Sequence, residues 1–348
     1  MTTRKVTILG AGAMGSALAT PLVDAGWAVN LWGTWLDDHL LETCRRGEPH
    51  PRTGVPLAES TSLFDAADLE GALDGAELAV LAVASVGVEE VTRRAVRGLA
   101  KVRAVLLTSK GFAPDAAGRI RLLPDAIREI AAEQGVALPA VIAVGGPCKA
   151  NEVAARRPTA AVFAAQDKAL AEEIAKNVAT HAYRAESLSD ESGVEICAPM
   201  KNVYAIALGV CDGLSERGGE PFHDLKAATF TAAVRELVLF TELVGGDIHT
   251  AIGLAGSGDL EVTGNSGRNK VYGVRIGAGE SATAALAAMQ AEEKTVEGVQ
   301  AAPLAARLVD QRAPQLWPAL PLFQAIQDIL AGHEDSEARI TDAVLPRV

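Results

Sequence analysis

Two stretches of this 348-residue chain combine side chains and spacing that could carry chemistry. The first is GAGAMG at residues 10–15, which sets Gly10, Gly12 and Gly15 in the pattern G-x-G-x-x-G. Gly10 permits a tight turn. Gly12 lets a pyrophosphate approach the backbone. Gly15 allows close helix–strand packing, and the helix that opens there attracts phosphate. The second is ESGVEICAPMKNVYAIALGVCDGL, residues 191–214, apolar almost all round yet carrying Lys201 and Asn202 in its middle. Such a run reads as a buried helix. A lysine inside one is costly unless paired or neutral, so Lys201 is either a functional group or a side chain that snorkels to water.

The elements around these residues place them. Arg4–Leu9 reads as a strand, Ser16–Ala25 as a helix and Ala28–Trp32 as a second strand, the context in which the glycine pattern specifies dinucleotide binding. The acidic ribose ligand expected at the end of that strand is replaced by Gly33, Thr34 and Trp35. Asp37 and Asp38 follow, too far along and already on a helix. A 2′-phosphate is then not repelled; NAD and NADP both stay open, with a lean to NADP. The runs 77–84, 103–108, 139–144 and 159–165 read as strands buried on both faces of a mostly parallel sheet, with a further short strand near Ala182. Lys110 follows the second of these runs, at the strand end where doubly wound sheets bind ligands, and reads either as a site lysine or as a solvated loop lysine.

Beyond Asp190 the pattern is helical. Residues 222–244 form a long helix, and 282–288, 296–309 and 316–330 are helical too. Between them lies a glycine-dense stretch, 253–279, with Asp259, Thr263, Asn265, Ser266, Arg268, Asn269 and Lys270. It reads either as a polar surface loop or as backbone that wraps an anion, with Arg268 as a forked oxyanion ligand. The expected architecture is an α/β Rossmann-like domain over residues 1–188 with an extended, mostly parallel sheet, followed by an all-α domain over 189–348.

Composition excludes several classes. Lys+Arg of 32 against Asp+Glu of 44 gives a net charge of −12, which argues against a nucleic-acid binder. Four scattered cysteines without a CxxC pair, and dispersed histidines, argue for free thiols in a reducing cytoplasm and against a metal site. The run 78–88 is too short to span a bilayer, and no targeting peptide precedes the first strand.

Taken in order, the blocks GAGAMGSALA, SKGF around Lys110, GPCKANEVAARRPTAAV, APMKNVYAIALGVCDGL, GLAGSGDLEVT with GRN, and VEGV resemble the NAD(P)-dependent glycerol-3-phosphate dehydrogenase family of the soluble bacterial type. The resemblance spans nearly the whole chain. It implies a Rossmann domain joined to an all-helical domain with the site in the cleft between them, and reversible hydride transfer between NAD(P)H and dihydroxyacetone phosphate for glycerophospholipid precursor supply. It makes Lys201 the catalytic lysine, with Lys110 and Asp259 beside it. Substrate-side companions are Lys110, Gly146, Cys148, Asn202, Thr263, Gly267, Arg268 and Asn269. Gly10, Gly12, Ala13, Met14, Gly15, Thr34 and Lys110 are implied for the cofactor, with Ala150, Arg268 and Glu297 near its far end. A lysine among cations and apolar walls has its pKa lowered towards neutrality, which suits a general acid.

Three departures fall on the substrate side. The family's Gly-Pro-Ser/Thr-Phe-Ala is Gly146-Pro147-Cys148-Lys149-Ala150. Pro199-Met200 replaces an Ala-Leu pair. Gly267 stands where serine usually precedes Arg-Asn. Two alternatives follow: the same chemistry on another phosphorylated or anionic ketone or polyol, and a non-catalytic nucleotide-binding protein. The expected form is a cytoplasmic homodimer, without membrane insertion.

Overall fold

The computed structural model describes residues 4–333 and 335–346. By backbone packing the chain divides into two units. One runs up to residue 113 and resumes over 121–191. The other takes residues 114–120 and everything from 192 onward.

The first unit alternates strand and helix: β1 Lys5–Leu9, α1 Ala13–Asp24, β2 Ala28–Trp32, α2 Asp38–Arg45, β3 Thr61–Phe64, α3 Leu69–Leu73, β4 Leu78–Leu81, α4 Ser85–Leu99, β5 Ala104–Leu107, β6 Phe112–Pro114, β7 Ile120–Leu122, α5 Leu123–Glu133, β8 Ala140–Gly145, α6 Ala150–Ala154, β9 Thr159–Ala164, α7 Lys168–Val178 and β10 Tyr183–Leu188. Eight strands form one sheet in the order β10-β9-β8-β5-β4-β1-β2-β3, while β6 and β7 pair separately. All neighbours in the large sheet are parallel except β8 and β9, where Gly145 faces Val162.

Strand alternation explains why the runs are continuously apolar. In β4, Leu78 and Val80 enter the core shared with α1 and α7, whereas Ala79 and Leu81 enter the core shared with α4 and α5. The strand order reverses at β1, which has β2 on one side and β4 on the other, so a crevice opens beyond the carboxyl ends of β1 and β4.

The second unit is helical: α8 Glu191–Gly218, α9 His223–Leu243, α10 Ile248–Ile252, a π-helical turn Leu254–Gly258, α11 Asp259–Asn265, α12 Arg268–Gly277, α13 Ala282–Ala291, α14 Glu297–Arg312, a 3₁₀ segment Pro314–Ala319, α15 Pro321–Leu330 and α16 Ser336–Val344. Helix α8 is long and apolar enough to cross a membrane, but its most apolar window is 100% buried, so it is the core of this unit. It passes through Pro199 without a break. The glycine-dense stretch is not a loop: it is the π turn followed by α11 and α12. The stretch read as helical over 316–330 is two helical segments, a 3₁₀ segment and α15, with Pro321 opening the second. Residues 114–120 are tied to α14, where Gln311 donates to Gly118 O (2.8 Å) and accepts from the Ile120 N–H (2.9 Å).

A buried carboxylate also shapes the helical unit. Helix α15 has no side-chain cap of its own. Glu236 on α9, 3% exposed, accepts the otherwise unpaired N–H groups of Leu322 and Phe323 (2.7 and 2.8 Å) and the Tyr204 hydroxyl (3.0 Å). Burial pushes its pKa up to about 7, only partly offset by these donors. With a folded pKa above the unfolded one, the native state holds more protons between roughly pH 4.5 and 7, so this group makes stability fall as pH rises through that window. The stability difference between the wild-type protein and Glu236→Gln is therefore expected to change, in Gln's favour, by on the order of 3 kcal/mol between pH 4 and pH 8. Denaturant unfolding at both pH values measures it, and a pH-independent difference would refute the assignment.

Candidate active site

Gly10, Gly12, Ala13, Met14, Gly15 and Thr34 lie just beyond the carboxyl ends of β1 and β2. Gly10 sits at φ +113°, and a Cβ there would stand 2.8 Å from Ala82 O; a Cβ on Gly15 would overlap Gly10 O. Only glycine fits either place. Gly12 instead faces open space, with nothing but the Arg52 Nη1 atom, 3.7 Å from where its Cβ would stand. Helix α1 begins at Ala13 and Met14 with no side-chain cap, so its first N–H groups are available to an anion. The residues present therefore fit a dinucleotide pyrophosphate.

Thr34 follows β2 and is 7% exposed. Its N–H and hydroxyl both donate to Asp37 Oδ2 (2.9 and 2.8 Å), which also accepts the Ala11 N–H at 3.3 Å. Asp37, expected to lie too far along to matter, thus turns back onto the glycine turn from its place just ahead of α2. The Ala11 carbonyl is held from another direction by His50 Nε2 (3.0 Å), and His50 Nδ1 accepts the Arg52 N–H (3.2 Å). Burial holds the His50 pKa below the usual imidazole range. Its contribution to folding stability is present above pH 6.5 and is lost as pH falls from there through the lower folded pKa, because the unfolded imidazole protonates first and a protonated Nδ1 can no longer accept. Folding stability is accordingly expected to fall on acidification from about pH 7.5 to 5. His50→Gln should flatten that part of the profile in denaturant unfolding, and an unchanged slope would count against the role.

Lys110, half-buried, follows β5. Ser109 donates to Val83 O at 2.6 Å on one side of it. On the other, Gly111 lies so close to Ser85 that a Cβ would come within 2.5 Å of the Ser85 Cβ. Gly146 follows β8, the strand paired with β5, and takes φ +94°. The Cys148 thiol points to the carbonyls of Gly145 (4.0 Å) and Ala160 (3.8 Å), Lys149 lies 4.0 Å from Glu152, and Ala150 begins α6.

The remaining residues meet inside the helical unit. Lys201 is 6% exposed in the middle of α8. Its ammonium donates to Oδ1 of Asp259, which is 1% exposed at the start of α11, and to the Thr263 hydroxyl one turn further (2.9 Å). Lys201 does not snorkel; it is an internal ion pair. Asn202 donates to Glu297 (2.9 Å) and accepts from Asn269 (3.0 Å), while Asn269 Oδ1 accepts the Gly298 N–H (2.8 Å). Arg268, at the first position of α12 and half exposed, pairs with the other Glu297 oxygen (3.0 Å). A Cβ on Gly267 would come 2.9 Å from Thr263 O. One charged donor, one hydroxyl and a chain of amides and carboxylates thus line up from α8 across α11, α12 and α14. The sequence reading missed Asp37 as a partner of the turn, and with it His50 and Arg52. Nothing in their spacing marks them, since the contacts join residues up to 39 apart.

A doubly wound sheet with an uncapped glycine turn, followed by a helical unit built around a buried Lys–Asp pair, has the architecture of a two-domain nicotinamide-dependent oxidoreductase. Residues 5–171 match the family model for the NAD-dependent glycerol-3-phosphate dehydrogenase N-terminus, and residues 190–341 that for the C-terminus. The chain belongs to that family. It is 36% identical to an NADP(+)-dependent glycerol-3-phosphate dehydrogenase of Archaeoglobus fulgidus, over 87% of this chain and 89% of that one. It is 34% identical to a glycerol-3-phosphate dehydrogenase [NAD(P)+] of Thiobacillus denitrificans, over 96% and 99%. The crystal structure of the Coxiella burnetii glycerol-3-phosphate dehydrogenase superposes with a TM-score of 0.83 at 29% identity, covering 98% of each chain.

Proposed function

We propose that the protein interconverts dihydroxyacetone phosphate and sn-glycerol 3-phosphate with NAD(P)H, supplying glycerophospholipid precursor in the cytoplasm as a homodimer. The observation that carries this reading is the ammonium of Lys201, buried in α8 and bonded to Asp259 and Thr263. Residues 1–188 are the dinucleotide-binding domain and residues 189–348 the helical catalytic domain, each lending a few residues to the other's ligand. When bound, the cofactor supplies or accepts the hydride at the substrate's carbonyl carbon. Lys201 donates a proton to the carbonyl oxygen in reduction and recovers it from the hydroxyl in oxidation. Asp259 keeps the ammonium charged and aimed until the transfer, and Thr263 fixes its second direction. Asn202 and Asn269 position the sugar-like end. Arg268 and the N-terminus of α12 take the phosphate, a remote anchor that fixes the reacting geometry. Lys110, Gly146 and Cys148, at strand ends of the first unit, serve the same substrate. Gly10, Gly12, Ala13, Met14, Gly15 and Thr34 hold the adenine half of the cofactor; Lys110, Ala150, Arg268 and Glu297 serve its nicotinamide half.

Steady-state oxidation of NADH and of NADPH, with dihydroxyacetone phosphate against dihydroxyacetone, tests the reading. Loss of the phosphate anchor is expected to lower kcat/KM by about 10³-fold or more. The reading fails if dihydroxyacetone phosphate is reduced with neither cofactor while the cofactors still bind.

A further inference from the structure

We propose that Arg52 reads the adenosine 2′-phosphate of NADP(H) and so sets the cofactor preference of this protein. This rests on the dinucleotide-binding reading above and names the residue that discriminates between the two dinucleotides. The Ala11 peptide is gripped at both ends. Asp37 takes its N–H, and His50, 1% exposed, takes its carbonyl. The Arg52 N–H donates to His50 Nδ1, which fixes the tautomer that lets Nε2–H reach Ala11. The loop carrying Arg52 is therefore stapled to the glycine turn. Its guanidinium Nη1 lies 3.7 Å from the point where a Gly12 Cβ would stand. Among the described residues, that guanidinium makes no hydrogen bond or ion pair, and it is exposed.

Two phosphate groups of a bound dinucleotide would lie near this turn. The uncapped N-terminus of α1 would meet the pyrophosphate. The adenosine ribose would lie at the end of β2, where the Gly10 N–H donates to Trp32 O and Thr34 meets Asp37. There, in an NAD-selective site, a carboxylate accepts from the ribose diol. Here Gly33 and Thr34 occupy that place, and Asp37 Oδ2 is engaged by Ala11 and by both donors of Thr34. What the turn presents instead is a forked, permanently charged donor, the group that matches a phosphate monoester.

The test is equilibrium binding to the full-length chain, without turnover. Affinities for NADPH, NADH, adenosine 2′,5′-bisphosphate and ADP are measured by calorimetry for the wild type, Arg52→Ala and Arg52→Lys. Arg52→Ala is expected to weaken NADPH and adenosine 2′,5′-bisphosphate by about 10- to 100-fold, leaving NADH and ADP within about threefold. Arg52→Lys should recover part of that loss, since a point charge replaces the fork. Equal weakening of both pairs would overturn the proposal by moving Arg52 to the pyrophosphate. No weakening would overturn it by leaving Arg52 a solvated loop residue. The two readings fail separately: lost 2′-phosphate selectivity with intact NADH turnover sinks only this proposal, and intact selectivity without ketone reduction sinks only the reaction.

Discussion

Lys201→Met is expected to lower kcat by about 10²- to 10⁴-fold, the range associated with a positioned general acid, with nicotinamide cofactor affinity within about threefold of wild type. The affinity is spared because the glycine turn, Thr34 and His50 all lie in the other unit. Methionine keeps the length and apolar stem of lysine and removes only the proton donor. It also leaves the Asp259 carboxylate, 1% exposed, without its ammonium, and breaking a buried pair from one side costs about 3–5 kcal/mol. The loss of rate must therefore be separated from loss of fold. Adding Asp259→Asn removes the stranded charge, so the double variant is expected to regain stability without regaining turnover. Rates measured at saturating substrate beside unfolding curves decide the matter. Turnover within tenfold of wild type in a folded Lys201→Met protein would remove the proton-transfer role.

How much of this was legible before any coordinates depends on which forces set each element. The strand, glycine turn and helix at the N-terminus were, because Lys5–Leu9 and Ala28–Trp32 are mostly apolar runs, broken only by Lys5, Thr7 and Asn30, and the glycines answer local steric demands. So was α8, whose apolar composition has no other explanation in the fold. β3, β6 and β7 were not, since TSLF, FAP and IRL are three or four residues long and show no periodicity. Packing carries α8 through Pro199: Cys197, Met200 and Val203 are fully buried around it, and the loss of one hydrogen bond does not outweigh them. The Lys201–Asp259 pair joins residues 58 apart, so the residues themselves marked only the lysine as unusual, and the family resemblance alone supplied its partner. Asp37, His50 and Arg52 were illegible for the same reason without that help. Of the two readings of 253–279, the surface loop failed because it took glycine as a sign of irregular backbone, whereas Gly273 and Gly277 mark the close approach of another helix.

That approach carries the other large expectation: Gly273→Ala should destabilise the protein by about 3 kcal/mol and depress turnover in whatever remains folded. Gly209 and Gly213 on α8 face Gly273 and Gly277 on α12, four residues apart in each helix. A Cβ on Gly273 would overlap the Ile206 carbonyl oxygen and lie 3.0 Å from the Gly209 Cα, while one on Gly213 would come 2.8 Å from the Gly277 Cα. These are backbone atoms, with no flexible side-chain end to move aside, so the helices must separate. Overpacking typically costs 1–3 kcal/mol, occasionally more, and alanine's helix preference over glycine returns only about 1. The placement within this range is at its upper end because the obstruction is main chain. Separation also strains the Asn202–Asn269 hydrogen bond, and α14 is coupled to it through Gly298, whose own Cβ would stand 2.5 Å from Asn202 O. A single methyl group far from the ammonium is therefore expected to reach the amides that position the substrate. Gly218→Ala is the control: it lies on α8 too, where a Cβ would meet only a Phe222 ring carbon at 3.7 Å. It is expected to leave stability unchanged or raise it by less than about 1 kcal/mol. Denaturant midpoints for the two variants give the comparison. Equal effects would mean that the glycine crossing does not hold α12 against α8, and that the Asn202–Asn269 contact has some other support.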